Sequence, residues 1–171
     1  MTGDRKLVLE SPRLDLVLES TESVLARIEA LSPAERAEVS SEWVERMRSS
    51  TPSAWTHGFA IVDRESGVNI GGCAYKGPPD ADGVVEIAYG IDAPYRGRGY
   101  AKEAAAMLVE YADEAGVRLV RAHTRPENRA SARVLEFCGF DCLGEVMDPE
   151  DGLVWRWERP HPGSSKDFIG G

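Results

Sequence analysis

The residues best suited to chemistry stand together at 92–101, reading Asp-Ala-Pro-Tyr-Arg-Gly-Arg-Gly-Tyr-Ala. Gly97 and Gly99 permit positive φ angles and a close backbone approach to a ligand. The stretch runs straight into a segment of helical periodicity, and the first N–H groups of a helix have no partner inside it. Arg96 and Arg98 add positive charge. Outward amides, a helix N-terminus and two guanidinium groups make a receptor for phosphate or pyrophosphate. The same residues would also serve as a glycine-rich turn with two solvated arginines. Two nucleotide loops are excluded, because the third glycine of G-x-G-x-x-G is missing and no Lys-Ser or Lys-Thr follows to complete a P-loop. No metal is expected, since His57, His123 and His161 are scattered and Cys73, Cys138 and Cys142 fall short of a four-ligand zinc set. An odd number of cysteines also argues against a disulfide framework.

The elements that must position this loop follow from periodicity. Val85, Ile87, Tyr89 and Ile91 alternate with Glu86, Ala88 and Gly90, which makes 84–91 a strand with two distinct faces. Ala101, Ala104, Leu108, Tyr111 and Ala115 form one stripe of a helix over 101–115, which Gly116 stops. Upstream, 13–18 alternates as a first strand, and 20–31 carries Val24, Leu25, Ile28 and Leu31 at helical spacing. Ser32-Pro33-Ala34-Glu35 combines an N-cap, a first-turn proline and a capping-box glutamate. That helix is expected to run until just before Pro52, with Trp43, Val44 and Met47 facing inward. Segments 58–63 and 68–75 read as a hairpin around Glu65-Ser66-Gly67, and 77–83 as a loop. Downstream, 118–124 is a strand, 129–138 a short helix stopped by Gly139, and 141–146 and 154–157 are closing strands. The order predicts an α/β (α+β) fold with a mixed, mostly antiparallel central sheet of about six to seven strands flanked by about four helices. Neighbours joined by a helix should be parallel. One domain is expected over 1–160, with a mobile tail at 161–171.

Composition narrows the function classes. With 42% hydrophobic and 29% charged residues, the 171-residue chain can build a core. Its formal net charge of −9 is a poor match for nucleic acid. Such charge is compatible with a cationic amine substrate and equally with a solvated surface. No apolar run approaches the roughly 20 residues a membrane span needs. The N-terminal stretch MTGDRKLVLE lacks the apolar core of a signal peptide. The expected setting is the cytoplasm, with no membrane or nucleic-acid partner.

Arg96-Gly97-Arg98-Gly99-Tyr100-Ala101 fits the pyrophosphate signature Gln/Arg-x-x-Gly-x-Gly/Ala, and here the chain resembles the GNAT N-acetyltransferases. Around the loop, Glu86-Ile87-Ala88-Tyr89-Gly90-Ile91 and Glu103-Ala104 resemble the branch that acetylates N-terminal residues of ribosomal proteins. Downstream, Pro126-Glu127-Asn128-Arg129-Ala130-Ser131-Ala132-Arg133-Val134-Leu135-Glu136 and Gly139-Phe140 do the same. The resemblance spans roughly residues 7–160 and is densest over 86–140. Two signatures about thirty residues apart, in matching strand–helix contexts, make it specific.

The resemblance implies acetyl-CoA as co-substrate, no metal, and a sheet splayed between the fourth and fifth expected strands, 84–91 and 118–124. Main-chain groups near Tyr89 and Ile91 would pair with pantetheine like an added strand. Arg96, Gly97, Arg98, Gly99, Tyr100 and Ala101 would hold the pyrophosphate. Asn128 would bond the pantetheine arm, cap the helix that follows, or do both.

Acetyl transfer to a primary amine needs a base for the amine proton, donors for the thioester oxygen and a way to release the thiolate. Glu86, on the strand that would carry the cofactor, is the candidate base, directly or through water. Its alternative is a strand glutamate that is exposed or paired with an arginine. His123 is a second candidate. Many GNAT enzymes carry a tyrosine acid four residues before the Gly-Phe pair, where this chain has Leu135. Ser131, one turn earlier, matches the serine of the ribosomal-protein branch and could hydrogen-bond the CoA sulfur or return its hydroxyl to a helix carbonyl. The implied function is N-acetylation by direct attack on the thioester, by a monomer or homodimer. The acceptor would be a peptide N-terminus or a small amine such as a polyamine or an aminoglycoside. Two rivals are a non-catalytic acyl-CoA sensor, favoured by the missing tyrosine, and a nucleotide-binding regulator, disfavoured by the missing fingerprints.

Overall fold

The structure is a computed structural model that describes residues 7–149 and 151–163, so most of the tail expected to be mobile lies outside the described residues. Its strands are β1 (Val8–Glu10), β2 (Leu14–Leu18), β3 (Phe59–Asp63), β4 (Asn69–Tyr75), β5 (Val84–Ile91), β6 (Leu119–Thr124), β7 (Asp141–Asp148) and β8 (Gly152–Pro160). Its helices are α1 (Thr21–Glu29), α2 (Pro33–Ala37), α3 (Ser41–Ser49), α4 (Tyr100–Glu114) and α5 (Arg129–Phe137). The strands form one sheet in the order β1-β2-β3-β4-β5-β6-β8-β7. Among the described strands only β5 and β6 pair in parallel. The mixed, mostly antiparallel sheet expected from the sequence is therefore present.

The counts differ from expectation for local reasons. The eighth strand is β1, three residues long and too short to show a period, held by Val8↔Val17 and Glu10↔Asp15 pairing. The single helix expected from Pro33 is two. Helix α2 starts on the capping box at Ser32, then stops at Ala37. Ser40 restarts the chain as the N-cap of α3, its side chain accepting from the Trp43 N–H at 3.2 Å. A serine oxygen competing for main-chain N–H groups favours such a break over a continuous helix. The restart turns Met47 into the core and leaves Trp43 37% exposed, contrary to the inward placement expected for Trp43.

The core sits between the sheet and α4. Leu14, Leu16, Ile61, Ile70, Val85 and Ile87 point inward from alternate strand positions. Ala104, Leu108 and Ala112 meet them from α4 and are fully buried. The two alanines let the helix lie close, while burial of a leucine contributes roughly 1.5–3 kcal/mol. The Tyr75 hydroxyl donates to the Leu108 carbonyl and ties α4 to β4. With its helix fixed to the sheet, the loop that precedes α4 has a fixed base.

Between β5 and β6 the sheet opens. Their pairing runs only through Val84↔Leu119, Val85↔Val120 and Glu86↔Arg121. Beyond that, β6 follows β8 to Thr124↔Trp155, and β5 follows β4 to Ile91↔Gly71. Gly71 makes this divergence possible, since a Cβ there would lie 2.2 Å from the Gly90 carbonyl oxygen. The absent side chain lets β4 hold the end of β5 away from β6.

Candidate active site

The loop between β5 and α4 is built from its backbone. Gly97 and Gly99 adopt φ angles of 80° and 83°, the left-handed region that favours glycine. Gly99 is the N-cap of α4, and no side chain caps the helix. Its first amides are thus left for a ligand or water. Nothing lies within 4 Å of the point a Gly97 Cβ would occupy, so the space beside Gly97 is open.

The two loop arginines have different surroundings. Arg98 is exposed, its guanidinium 5.9 Å from the Tyr95 ring centroid. Arg96 donates from Nε to the Ile91 carbonyl at 2.8 Å and staples the loop to the end of β5. A third arginine, which the sequence reading missed, reaches the loop from the head of β2. Arg13 donates from Nη1 to the Arg98 carbonyl at 3.0 Å and from Nε to Glu103 Oε1 at 2.8 Å. Its guanidinium lies 4.5 Å from the Tyr100 ring centroid. The Ser11 hydroxyl also donates to Glu103. Burial pushes the Glu103 carboxyl up, but the bonds from Ser11 and Arg13 outweigh it and hold the group below the usual range. No local pattern marks Arg13, because its partners lie 85 and 90 residues away.

The opening between β5 and β6 is lined by main chain. The Lys76 N–H donates to the Glu86 carbonyl, and the Asp92 N–H donates to the Ile70 carbonyl, each at 2.8 Å. Both bonds point toward β4. Main-chain groups alternate in direction along a strand, so those of Tyr89 and Ile91 face β6 and the opening. The Ile91 carbonyl is taken by Arg96.

Glu86 stands on the sheet face opposite α4, and its carboxylate is shared. Oε2 accepts from His123 Nδ1 at 2.8 Å and pairs with Lys76 Nζ at 3.2 Å. Arg156 donates from Nε to His123 Nε2 at 3.1 Å. With Nε2 accepting, His123 is the neutral tautomer that carries its proton on Nδ1 and gives it to Glu86. Both side chains keep a path to solvent, with exposures of 25% for Glu86 and 13% for His123. The two residues weighed separately as bases thus form one unit. The Glu86↔Arg121 register explains this, because His123 lies two residues further along β6 on the same face.

Helix α5 brings the third group. Asn128 Oδ1 accepts from the Ser131 N–H at 3.1 Å, so the capping role is realised and the side-chain nitrogen is left for another partner. The Ser131 hydroxyl lies 2.8 Å from the Tyr89 hydroxyl, across the opening from β5. Burial pushes the Tyr89 hydroxyl up to about 12, against the lowering effect of Ser131. Leu135 is fully buried in the core. Among the described residues no group of three or more His, Cys, Asp or Glu could hold a metal ion, and no helix is long and apolar enough to cross a membrane. Cys73 is buried, Cys138 intermediate and Cys142 exposed, and none forms a disulfide.

Comparison with known proteins follows the same lines. The family model of the acetyltransferase (GNAT) domain matches residues 8–141. The uncharacterized N-acetyltransferase YjdG of Bacillus subtilis (strain 168) is 33% identical over 89 residues, which cover 50% of this chain and 53% of that protein. The chain thus matches about half the length of that relative. The ribosomal-protein-S5-alanine acetyltransferase from Vibrio fischeri superposes with a TM-score of 0.69 at 16% identity, over 91% of this chain and 97% of that one. RimL, a ribosomal L7/L12 alpha-N-protein acetyltransferase solved with coenzyme A, gives 0.69 at 17% identity, over 90% and 98% of the two chains. By sequence over most of its length, and by a sheet that opens beside a glycine loop at a helix N-terminus, the chain belongs to the GNAT acetyltransferase family.

Proposed function

We propose that this protein is an acetyl-CoA-dependent N-acetyltransferase that acts on a primary amine, with a peptide N-terminus as its preferred acceptor. One observation carries the reading: the β5–β6 opening runs from the uncapped N-terminus of α4 to Glu86, His123 and Ser131. The residues fit the co-substrate at both ends. Open loop amides with Arg98 suit a diphosphate, and the free strand edge at Tyr89 suits an extended arm containing amides.

When bound, acetyl-CoA supplies a thioester whose carbonyl carbon bonds to the amine nitrogen as the carbon–sulfur bond breaks. Glu86 accepts the proton the amine gives up, directly or through water, while His123 holds the carboxylate in place. The Tyr89 main-chain N–H is the candidate donor to the thioester oxygen. Ser131, in the first turn of α5, would offer its hydroxyl to the departing sulfur beside the positive end of that helix.

Charge favours a peptide acceptor over a polycation. Glu86 is paired with Lys76, and Arg156 stands behind His123, so a polyamine would meet like charge there. An α-amine, with a pKa near ~8, also releases its proton more readily than a side-chain amine near ~10. The test is free-thiol release from acetyl-CoA across N-terminal peptides, polyamines and aminoglycosides. Peptides should turn over fastest. Preference for a polyamine would overturn the acceptor assignment, and tight acyl-CoA binding without thiol release for any acceptor would favour a sensor.

A further inference from the structure

We propose that Tyr89 is a positioning residue whose hydroxyl holds that of Ser131 as a hydrogen-bond donor to the departing thiolate, in place of a tyrosine acid on α5. The inference rests on the acyl-CoA reading above and deepens it.

The geometry is specific. Tyr89 comes from β5 and Ser131 from α5, so the bond between them bridges the two arms of the opening. A helical serine commonly returns its hydroxyl to the carbonyl four residues back. Here that residue is Glu127, which precedes the Asn128 cap and whose carbonyl accepts from the Arg129 N–H at 3.0 Å. Ser131 finds Tyr89 instead, at 2.8 Å, with the tyrosine hydroxyl also 3.4 Å from the Ser131 carbonyl.

Each hydroxyl has one proton to give. With Tyr89 donating to Ser131 Oγ, the serine proton is released to point into the opening. Burial keeps the phenol protonated across the working pH range, so Tyr89 retains the proton this arrangement needs. Leu135, fully buried, supplies no alternative acid. Nor is full proton transfer required. A thiol with a pKa near ~8.5 leaves as the anion when one donor and a helix N-terminus stabilise it. No bond to Tyr89 or Ser131 is made or broken, and the amine proton still goes to Glu86.

Tyr89→Phe keeps the ring and removes only the hydroxyl. Ser131→Ala reads the same interaction from the other side while leaving Tyr89 in place. Two readouts are needed: kcat and KM with both substrates varied, and calorimetric affinities for CoA and desulfo-CoA at a mildly alkaline pH. A hydrogen bond to a charged group predicts a kcat loss of roughly 10- to 100-fold in either variant, with KM for acetyl-CoA unchanged. The double variant should lose no more than Ser131→Ala alone. Preference for CoA over desulfo-CoA should shrink in both single variants. Losses that multiply in the double variant, or a Tyr89→Phe protein with normal kcat and normal CoA preference, would overturn the assignment of Tyr89 alone. A wild-type protein that binds neither CoA nor desulfo-CoA would overturn the acyl-CoA reading with it.

Discussion

Replacing Glu86 by glutamine separates a proton acceptor from a bystander. The carboxylate accepts from His123 at 2.8 Å and pairs with Lys76 at 3.2 Å. Glutamine keeps one acceptor oxygen, so the His123 bond can persist in the same tautomer. What is lost is the charge opposite Lys76. That lysine side chain is 52% exposed, and a pair so open to water contributes less than about 1 kcal/mol. The melting temperature should therefore fall by only a few degrees. Loss of a general base, in contrast, lowers turnover by roughly 10² or more. A loss of ~10² corresponds to about 2.7 kcal/mol of transition-state stabilisation, well above the structural effect. The assay is thiol release with acetyl-CoA saturating and the acceptor varied, from neutral to alkaline pH. As free amine becomes abundant at high pH, the variant should recover toward wild type. If the two pH–rate profiles keep a constant ratio, Glu86 is not the base. A raised acceptor KM with normal kcat would then mark it as a group that only orients the amine.

The other predictions concern the loop and a buried histidine. Arg98→Ala should weaken CoA far more than a phosphate-free pantetheine analogue and leave thermal stability unchanged. Arg96→Ala should weaken CoA and also cost about 1 kcal/mol of stability, because the Ile91 carbonyl loses its donor. Identical stability of the two variants would contradict this division of roles. His57 is 1% exposed, with Thr21 and Thr56 hydroxyls at 2.7 and 2.8 Å on its two ring nitrogens. Burial pulls its pKa down, against Glu19, which raises it. The folded protein therefore holds fewer protons than the unfolded chain below about pH 6.5, so stability is complete above that pH and declines as pH falls toward the lowered value. Urea melts at several pH values should show this slope flattened in His57→Gln, and equal slopes would refute it.

Much of this was legible because the signals were local. The alternation of 84–91 marks the bounds of β5, Val84–Ile91, and the glycine loop marks the start of α4 to within one residue. Gly97 and Gly99 both take the positive φ their types allow. What stayed hidden depended on contacts between distant segments. Arg13 heads a strand and reads as a solvated charge until β2 is placed beside α4. The sequence points only to the Tyr89 main chain, because the packing of α5 against β5 is what brings its hydroxyl to Ser131. The pairing of Glu86 with His123 needed the parallel register of β5 and β6. The break before Ser40 carries no such signal, because Ser32-Pro33-Ala34-Glu35 begins a helix strongly and says nothing of where it ends.

The pyrophosphate loop offers the most direct measurement, a calorimetric titration of acetyl-CoA into the wild type and Gly99→Glu. A Cβ at Gly99 would lie 3.4 Å from Arg13 Nη2, and the φ of 83° disfavours any side chain, so folding of the variant is checked first by its melting curve. The glutamate would then set negative charge and bulk where the diphosphate is held. Micromolar binding to the wild type, weakened at least about tenfold in the folded variant (more than ~1.4 kcal/mol), with phosphate-free acetyl-pantetheine little affected, is the predicted result. Equal acetyl-CoA affinity in the two proteins would contradict the placement of the cofactor on this loop.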